Sequence, residues 1–274
     1  MDAVNSRRIE GEGTTASEWA AWSGLEELPW LEPGALVPEG QRAVIVAPHP
    51  DDEVLGTGGL LTRLGRLGRE LLLVAVTDGT ASHPGSSTWP VERLARTRPQ
   101  ETHEALRRLG LGPLPVERLG VPDGGITAHE ALLARRLRGC LRPDDVVFAT
   151  WHLDGHPDHE AVGRAALVAS AARGARCVQV PIWTWHWARP GDTRVPWGRA
   201  RRIALALSPA ALRTARAASA SQDQPSAAAP AASRARCGSR PGCRSPSARR
   251  TAPPDGARRW RAARRGSAPA RAGA

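Results

Sequence analysis

The sequence predicts an α/β domain with a mostly parallel sheet and helices on both faces. Short apolar runs rich in β-branched residues alternate with amphipathic stretches along most of the 274-residue chain, as strands joined by helical crossovers do. One of these runs ends directly in a histidine and carboxylates, and a second cluster of histidines and carboxylates comes shortly beyond the end of another run. Because ligands bind outside the carboxyl ends of the strands in an open α/β sheet, the same pattern predicts where a functional site lies.

The first predicted strand, residues 42–48, ends in the sequence HPDDE at residues 49–53. Imidazole and carboxylates at a strand tip are typical metal-ligand types. The spacing lets His49 and Asp52 reach one ion while Asp51 points elsewhere. The alternative interpretation is a solvated acidic turn that caps the following helix.

Glycines at 56, 58 and 59 predict a tight turn that opens a helix over about residues 56–67. They also raise the alternative of a dinucleotide site, which fails on spacing. The G-x-G-x-x-G pattern needs a glycine where Leu61 stands, and the acidic cluster would lie where the pyrophosphate binds.

The remaining elements complete a Rossmann-like, single-domain fold. They are predicted in chain order as a strand at 70–77, a helix at 91–109 that Pro99 kinks or restarts, a strand at 116–119, a helix at 129–138, a strand at 145–150, a helix at 160–172, a strand at 177–187, a strand at 202–207 and a helix at 208–218. Asp78 follows the second strand, at the same sheet edge as residues 49–53. There it either supports a site or forms a turn with Gly79.

A second cluster follows the strand at 145–150. Asp154 and the sequence HPDH at residues 156–159 lie between that strand and the next helix. The carboxyl ends of parallel strands share one edge of a sheet. We therefore expect residues 49–53 and 156–159 to meet, although they are far apart along the chain.

Composition limits the classes of function. No apolar run approaches the about 18 residues that a membrane span requires, and residues 1–40 lack the pattern of a secretory signal. The four cysteines, at positions 140, 177, 237 and 243, form no C-x-x-C pair. Neither a disulfide framework nor a zinc ribbon is expected, and a reducing, cytoplasmic location is the default.

The net charge of +11 does not indicate a nucleic-acid partner for the body of the chain. Residues 223–274 hold 12 Arg and two acidic residues, which leaves 26 basic and 25 acidic residues before them. This segment has no hydrophobic periodicity and is predicted to be a disordered, low-complexity tail. The chain has no Lys and no Tyr, which is typical of a GC-rich gene, so one hypothesis makes the tail a frameshift product. A genuine basic tail for an acidic partner is the alternative.

The HPDDE and HPDH sequences resemble, as a pair, the signature of the PIG-L or LmbE-like family of zinc-dependent N-acetylglucosaminyl deacetylases. The resemblance covers about residues 40–222 and extends, in the order of the chain, to TDG at 77–79, SHP at 82–84, Arg98 with Glu101, and LGVPDG at 119–124. It implies a hydrolase that removes the acetyl group from an N-acetylglucosamine-type conjugate. The expected partner is a small acetamido sugar, and the oligomeric state stays open. We take residues 41–222 as the deacetylase domain and residues 1–40 as an extension packed on it.

The resemblance also implies a metal site. His49, Asp52 and His159 would hold Zn²⁺, with Fe²⁺ as the alternative, whereas spacing alone leaves His156 and His159 equivalent as ligands. Asp51 would be the general base toward the zinc-bound water that attacks the amide.

The same resemblance gives His156 and Asp158 roles. His156 would donate to the oxyanion, with Asp158 orienting or tuning it. Glu53, Asp78, Arg98, Asp154 and His186 are candidate substrate-contacting or supporting residues. Asp154 stands where thiol-pathway members of the family carry a Tyr, which argues against a mycothiol-type substrate.

Tryptophans mark two segments that packing or sugar binding could explain. Trp19 and Trp22 would share one face of a short helix on the domain. In the predicted strand at 177–187, the three tryptophans would share one face, with His186 on the other. They form either an aromatic wall beside a sugar pocket, which His186 lines, or part of the core.

Two alternatives to the sugar deacetylase remain. One is a related amidase that acts on a thiol conjugate or another small amide. The other is a catalytically impaired binding protein whose altered C-terminal segment leaves the pocket incomplete.

Overall fold

The computed structural model of the chain describes residues 7–203 and 205. In chain order its elements are α1 Ala16–Ala20, α2 Gly24–Glu27, β1 Trp30–Leu31, α3 Pro33–Leu36, β2 Ala43–Ala47, α4 Asp52–Arg66, β3 Leu71–Ala75, α5 Val91–Arg108, β4 Val116–Arg118, α6 Glu130–Cys140, β5 Val146–Thr150, α7 Pro157–Arg173, β6 Arg176–Val180, α8 Thr184–Trp187 and β7 Arg202–Ile203, with 3₁₀ turns at Ile126–His129 and Trp197–Arg199. The helix predicted at 208–218 and the tail at 223–274 lie outside the described residues.

The main sheet has five parallel strands in the order β4-β3-β2-β5-β6. The chain moves outward from β2 through β3 to β4, then returns to the other side of β2 for β5 and β6. The boundary between β2 and β5 is therefore the topological switch point, outside which ligands bind in such sheets. The predicted α/β fold with a mostly parallel sheet is confirmed.

Helices cover both faces of this sheet, each over its own apolar core. On one face, Leu61 and Leu64 of α4 and Leu106 of α5 pack against the sheet. On the other face, Leu133 of α6 and Val162 of α7 do the same. Within residues 7–203 and 205, no helix is long and apolar enough to cross a membrane.

The turn predicted at the glycines of residues 56–59 is wrong, because these residues lie inside α4. Their small size has a packing reason instead. A Cβ on Gly56 would lie 3.2 Å from the Ile182 side chain and 3.3 Å from that of Val180. The glycine lets α4 lie close to β6 and to the loop that follows it.

The strand predicted at 177–187 ends early, at Val180. Pro181 has no N–H for a ladder bond, and the next three backbone N–H groups bind the Asp154 carboxylate at 3.0 Å each. The backbone then turns into α8, so the prediction that the tryptophans share one strand face is wrong. The helix predicted at 91–109 forms and continues through Pro99 as α5 without a restart.

The segment before β2 packs on this fold through tryptophans. Trp19 of α1 is buried in a cluster with Trp151, Ala188 and Val195, and its ring meets that of Trp22 at 6.0 Å. The proposed boundary between an extension at 1–40 and the domain stays a prediction.

Arg42 and Asp145 form a buried ion pair at the amino ends of β2 and β5. The guanidinium donates to both carboxylate oxygens, at 2.9 and 2.7 Å. Removing one partner leaves the other charge buried, so we expect Asp145→Ala to lower the free energy of unfolding by about 3–5 kcal/mol. Glu70→Ala, which removes an exposed pair with Arg142, is the control and should cost at most about 1 kcal/mol. Denaturant titrations compare the two variants, and equal losses would contradict the prediction.

Candidate active site

A cavity of about 850 Å³ opens at the carboxyl edge of the main sheet, over the switch point. The loops after all five strands contribute to it, together with α5 and the N-terminal segment. Its lining residues are Thr14, His49, Asp51, Asp52, Leu55, Ala81, Ser82, Arg98, Asp123, Gly124, His156, His159, Pro181, Ile182, Trp183, Trp185 and His186.

Three predicted ligands converge on the floor of this cavity. Asp52 Oδ2 lies 3.4 Å from His49 Nδ1 and 3.4 Å from His159 Nε2. One ligand atom from each side chain lies within 4.8 Å of the other two. The clusters at 49–53 and 156–159 therefore meet, as the parallel strand ends predict.

In each imidazole, the ring nitrogen that faces away from Asp52 (the far nitrogen) contacts an outer carboxylate. His159 Nδ1 lies 2.9 Å from Asp154 Oδ2. His49 Nε2 lies 3.2 Å from Asp123 Oδ1 and 3.3 Å from Asp158 Oδ2. Outer carboxylates of this kind fix the tautomer and the ring orientation of histidines that bind metals.

This arrangement fits a divalent cation. When each far nitrogen donates to its carboxylate, the near nitrogens of His49 and His159 present lone pairs to Asp52. Three acceptor side chains then face one another at a single point. Imidazole and carboxylate donors suit zinc, and three protein ligands leave a coordination position open, as in catalytic zinc sites.

The charges around this point are mutually dependent. Burial would raise the pKa of Asp52, but the His159 and His49 imidazoles hold it well below its usual range. Burial would likewise lower the pKa of His159, but Asp52 and Asp154 raise it to about 9. The Asp52 and Asp154 carboxylates thus supply enough negative charge to hold either protons or a cation between these side chains.

Asp51 lines the cavity beside these ligands. Its φ of 146° is rare for a residue other than glycine and costs about 1–3 kcal/mol, a strain that is common at functional sites. Burial and the Asp52 carboxylate raise the pKa of Asp51 to about 7, against the opposing effect of Arg98. A pKa near the working pH suits a general base.

Arg98 fixes the backbone and side chain around Asp51. Its Nη2 donates to the Pro50 carbonyl at 2.6 Å and to Asp51 Oδ2 at 3.3 Å. Its Nη1 donates to the Gly79 carbonyl at 3.2 Å. Arg98 is therefore turned toward the site.

His156 is a candidate for an uncharged hydrogen-bond donor. Burial, followed by the neighbouring His159 and His49, lowers the pKa of His156 to about 4. Its Nδ1 accepts the backbone N–H of Asp158 at 3.2 Å, which assigns the ring proton to Nε2. The neutral ring can therefore donate a hydrogen bond at neutral pH.

The Asp158 carboxylate faces His49 rather than the His156 ring. It accepts the backbone N–H groups of Gly124 at 2.8 Å and Ile126 at 3.1 Å. Only the backbone N–H of Asp158 reaches His156, so the expectation that this carboxylate orients His156 stays a prediction.

Two other predicted residues lie beside the site. Glu53 is buried and accepts the Asp51 N–H at 3.0 Å, and burial raises its pKa to about 7. Asp78 pairs with Arg118 and is not among the described residues that line the cavity. His186 does line it.

Asp154 joins the metal-ligand candidates to the loop after β6. Its fully buried carboxylate accepts five hydrogen bonds, from His159 Nδ1, the backbone N–H groups of Ile182, Trp183 and Thr184, and Thr184 Oγ1. One side chain therefore sets both the His159 ring and the position of the loop.

We expect Asp154→Asn to weaken zinc binding by about 10–100-fold. The amide cannot replace the charged acceptor that holds His159 Nδ1. Asp192→Asn is the control, since Asp192 is paired with Arg194 and is not among the residues that line the cavity. Competition with a chelating dye measures both affinities. Unchanged affinity in folded Asp154→Asn would refute this role.

Sequence reasoning did not single out Asp123. It follows β4, and its Oδ2 accepts the Ala81 N–H at 2.6 Å while Oδ1 faces His49. Burial would raise its pKa, but His49 lowers it. The signal was present, because Asp123 is a carboxylate just beyond a strand end, as Asp78 is.

Comparisons with known proteins agree with this geometry. The family model of PIG-L, described as GlcNAc-PI de-N-acetylase, matches residues 44–170. The chain is 30% identical over 152 residues to 2'-N-acetylparomamine deacetylase of Streptomyces fradiae, which covers 49% of this chain and 52% of that protein. It is 31% identical over 130 residues to 1D-myo-inositol 2-acetamido-2-deoxy-alpha-D-glucopyranoside deacetylase of Mycobacteroides abscessus, covering 44% and 47%.

A similar solved structure is N,N'-diacetylchitobiose deacetylase from Pyrococcus horikoshii. It has 29% sequence identity and a TM-score of 0.42, and the match covers 48% of this chain and 50% of that one. The chain spans about half the length of these two curated relatives.

Proposed function

Because the family model of PIG-L matches residues 44–170, we propose that the protein is a metal-dependent hydrolase that removes the acetyl group from an N-acetylglucosamine-type sugar conjugate. The observation that supports this most is the convergence of His49, Asp52 and His159 beside Asp51. The two curated relatives are, by name, deacetylases of acetamido sugars. The cytoplasmic location expected from the cysteines stays a prediction.

The three ligand candidates define what a metal would contribute. Zn²⁺ or Fe²⁺ held by His49, Asp52 and His159 would supply Lewis acidity, which lowers the pKa of water and polarises a carbonyl oxygen. Asp154 orients His159, and Asp123 with Asp158 orients His49. By accepting the N–H of the outer ring nitrogen, these carboxylates leave the lone pair of the inner nitrogen free for a cation.

Asp51 acts as the general base in this proposal. It takes a proton from the water that attacks the acetamide carbon, and it returns a proton to the amine as the C–N bond breaks. The products are acetate and a free amino sugar. Arg98 holds Asp51 in position through its hydrogen bond to Oδ2.

His156 stabilises the oxyanion that develops on the carbonyl oxygen. Its Nε2–H is the donor, because Nδ1 already accepts the Asp158 backbone N–H. Removal of one such donor typically lowers kcat by about 10²–10³-fold.

A direct test measures acetate release by the zinc-loaded protein from a panel of acetamido sugars and thiol conjugates. We expect release from an N-acetylglucosamine conjugate, and loss of release when a chelator removes the metal. A folded, zinc-loaded protein that releases no acetate from any member of the panel would contradict the proposal and favour a binding protein.

A further inference from the structure

The strand order divides the cavity into three zones. Because the strands lie in the order β4-β3-β2-β5-β6, the loops that line the cavity follow one another in the same order. The loops after β3 and β4 bring polar groups such as Ser82 and Asp123. The segments after β2 and β5 bring the ligand candidates. The loop after β6 brings mainly apolar side chains.

We call the apolar part of this lining the apolar wall. Its cavity-lining members are Leu55, Pro181, Ile182, Trp183 and Trp185. Leu55 is 57% exposed and Trp185 is 38% exposed, so apolar surface is open to a ligand beside the reacting centre. Ile182 approaches α4 closely at Gly56, the residue next to Leu55.

Contacts behind the wall hold the Trp185 ring in place. It packs edge-on against Trp19 at 5.0 Å between ring centroids. Trp19 Nε1 donates to the Trp185 carbonyl at 2.8 Å, and Trp185 Nε1 donates to the Pro181 carbonyl at 3.1 Å. The indole N–H of Trp185 is thus already used, and the ring offers a ligand its apolar surface.

Trp183 is fixed in a similar way. Its backbone N–H binds Asp154, and its ring stacks on His156 with a 16° angle between the planes and 6.2 Å between the centroids. A wall that is preformed needs little ordering when a ligand binds, and this favours affinity.

The cavity is also larger than the reacting part of the substrate requires. Its volume of about 850 Å³ lies in the upper part of the range of about 300–1,000 Å³ that holds whole drug-sized ligands. An acetamide placed at the ligand candidates, with its sugar hydroxyls on the polar zone, leaves the apolar wall for the rest of the substrate.

Building on the proposed function, we propose that the apolar wall is the subsite for the group joined to the acetamido sugar, and that this group presents an aromatic ring or alkyl face. Hydroxyls or charges packed against Leu55, Ile182 and Trp185 would lose hydration without gaining hydrogen bonds, which is unfavourable. A flat apolar face gains both burial and ring contact there.

The test compares the phenyl and methyl β-glycosides of N-acetylglucosamine. For the wild-type protein, kcat/KM should favour the phenyl glycoside by about tenfold, and the difference should lie in KM. Trp185→Ala should remove most of this preference. Leu55→Ala should reduce it as well, and because Leu55 is exposed, this variant tests the wall without risk to folding.

Trp30→Ala is the matched control. Trp30 is 60% exposed and not among the described residues that line the cavity, so the preference should be retained. An unchanged preference in both Trp185→Ala and Leu55→Ala would overturn the proposal. An equal loss of kcat/KM for both glycosides would overturn it too, since the wall would then hold the sugar itself.

A binding experiment separates this proposal from the proposed function. Phenyl β-D-glucoside lacks the acetamide, and its binding to zinc-loaded protein can be followed by calorimetry without turnover. Binding that weakens about tenfold in Trp185→Ala supports the wall even if no acetamido sugar is hydrolysed. If Trp185→Ala and wild type bind phenyl β-D-glucoside equally well, the proposed subsite is contradicted even if acetate is released.

Discussion

Asp51→Asn is expected to lower acetate release by about 10²–10⁴-fold while the protein still binds its metal. Asparagine has nearly the shape of aspartate but cannot take a proton from water at neutral pH. The three ligand candidates remain in place, because Asp51 points into the cavity beside them and none of their carboxylate supports involves it.

The measurement combines steady-state acetate release with metal content on the same preparation. Asp144→Asn, a change at an exposed carboxylate in the turn before β5, is the control and should match wild type in both. Wild-type turnover by metal-loaded Asp51→Asn would show that another group is the base. Loss of metal together with activity would make Asp51 a ligand instead.

Asp52→Ala is expected to lose metal and activity together. Asp52 Oδ2 faces both ligand imidazoles, at 3.4 Å from each. Without the Asp52 carboxylate, only His49 and His159 remain of the three ligand candidates, and a negative charge that would balance the cation is lost. Zinc affinity should drop by more than the about 10–100-fold expected when an outer carboxylate such as Asp154 is changed.

Dialysis against buffered zinc, followed by metal analysis, measures this loss. Asp51→Asn is the comparison variant. Although the two changed carboxylates are neighbours in the chain, Asp51→Asn should keep the metal and Asp52→Ala should lose it. Equal zinc affinity in Asp52→Ala and wild type would mean that the ion, if any, binds elsewhere.

The site residues that could be predicted from the sequence are those marked by a pattern of neighbouring residues. Apolar runs that end in HPDDE and HPDH mark strand tips, and parallel strands bring such tips to one edge. This reasoning placed residues 49–53 and 156–159 together, and it left His156 and His159 equivalent as ligands. The choice of His159 over His156 came from the family resemblance, and the structure gives it a physical counterpart in Asp154, which holds His159.

The parts that were missed depend on contacts between distant segments. No periodicity shows that Asp154 binds the backbone N–H groups after β6, and these bonds are what replace a strand by α8. The support of Trp185 by Trp19 crosses most of the described chain in the same way. Asp78 and Asp123 both follow strands, but only the fold shows that Arg118 pairs with Asp78 while Asp123 faces His49.

Residues 49–52 and 156–159 are proposed to share one divalent cation, and anomalous diffraction from zinc-loaded crystals tests this most directly. We predict one zinc peak per chain within bonding distance of His49, Asp52 and His159, and its absence from crystals of Asp52→Ala. Zinc-loaded crystals with no anomalous peak between these three side chains would contradict the account.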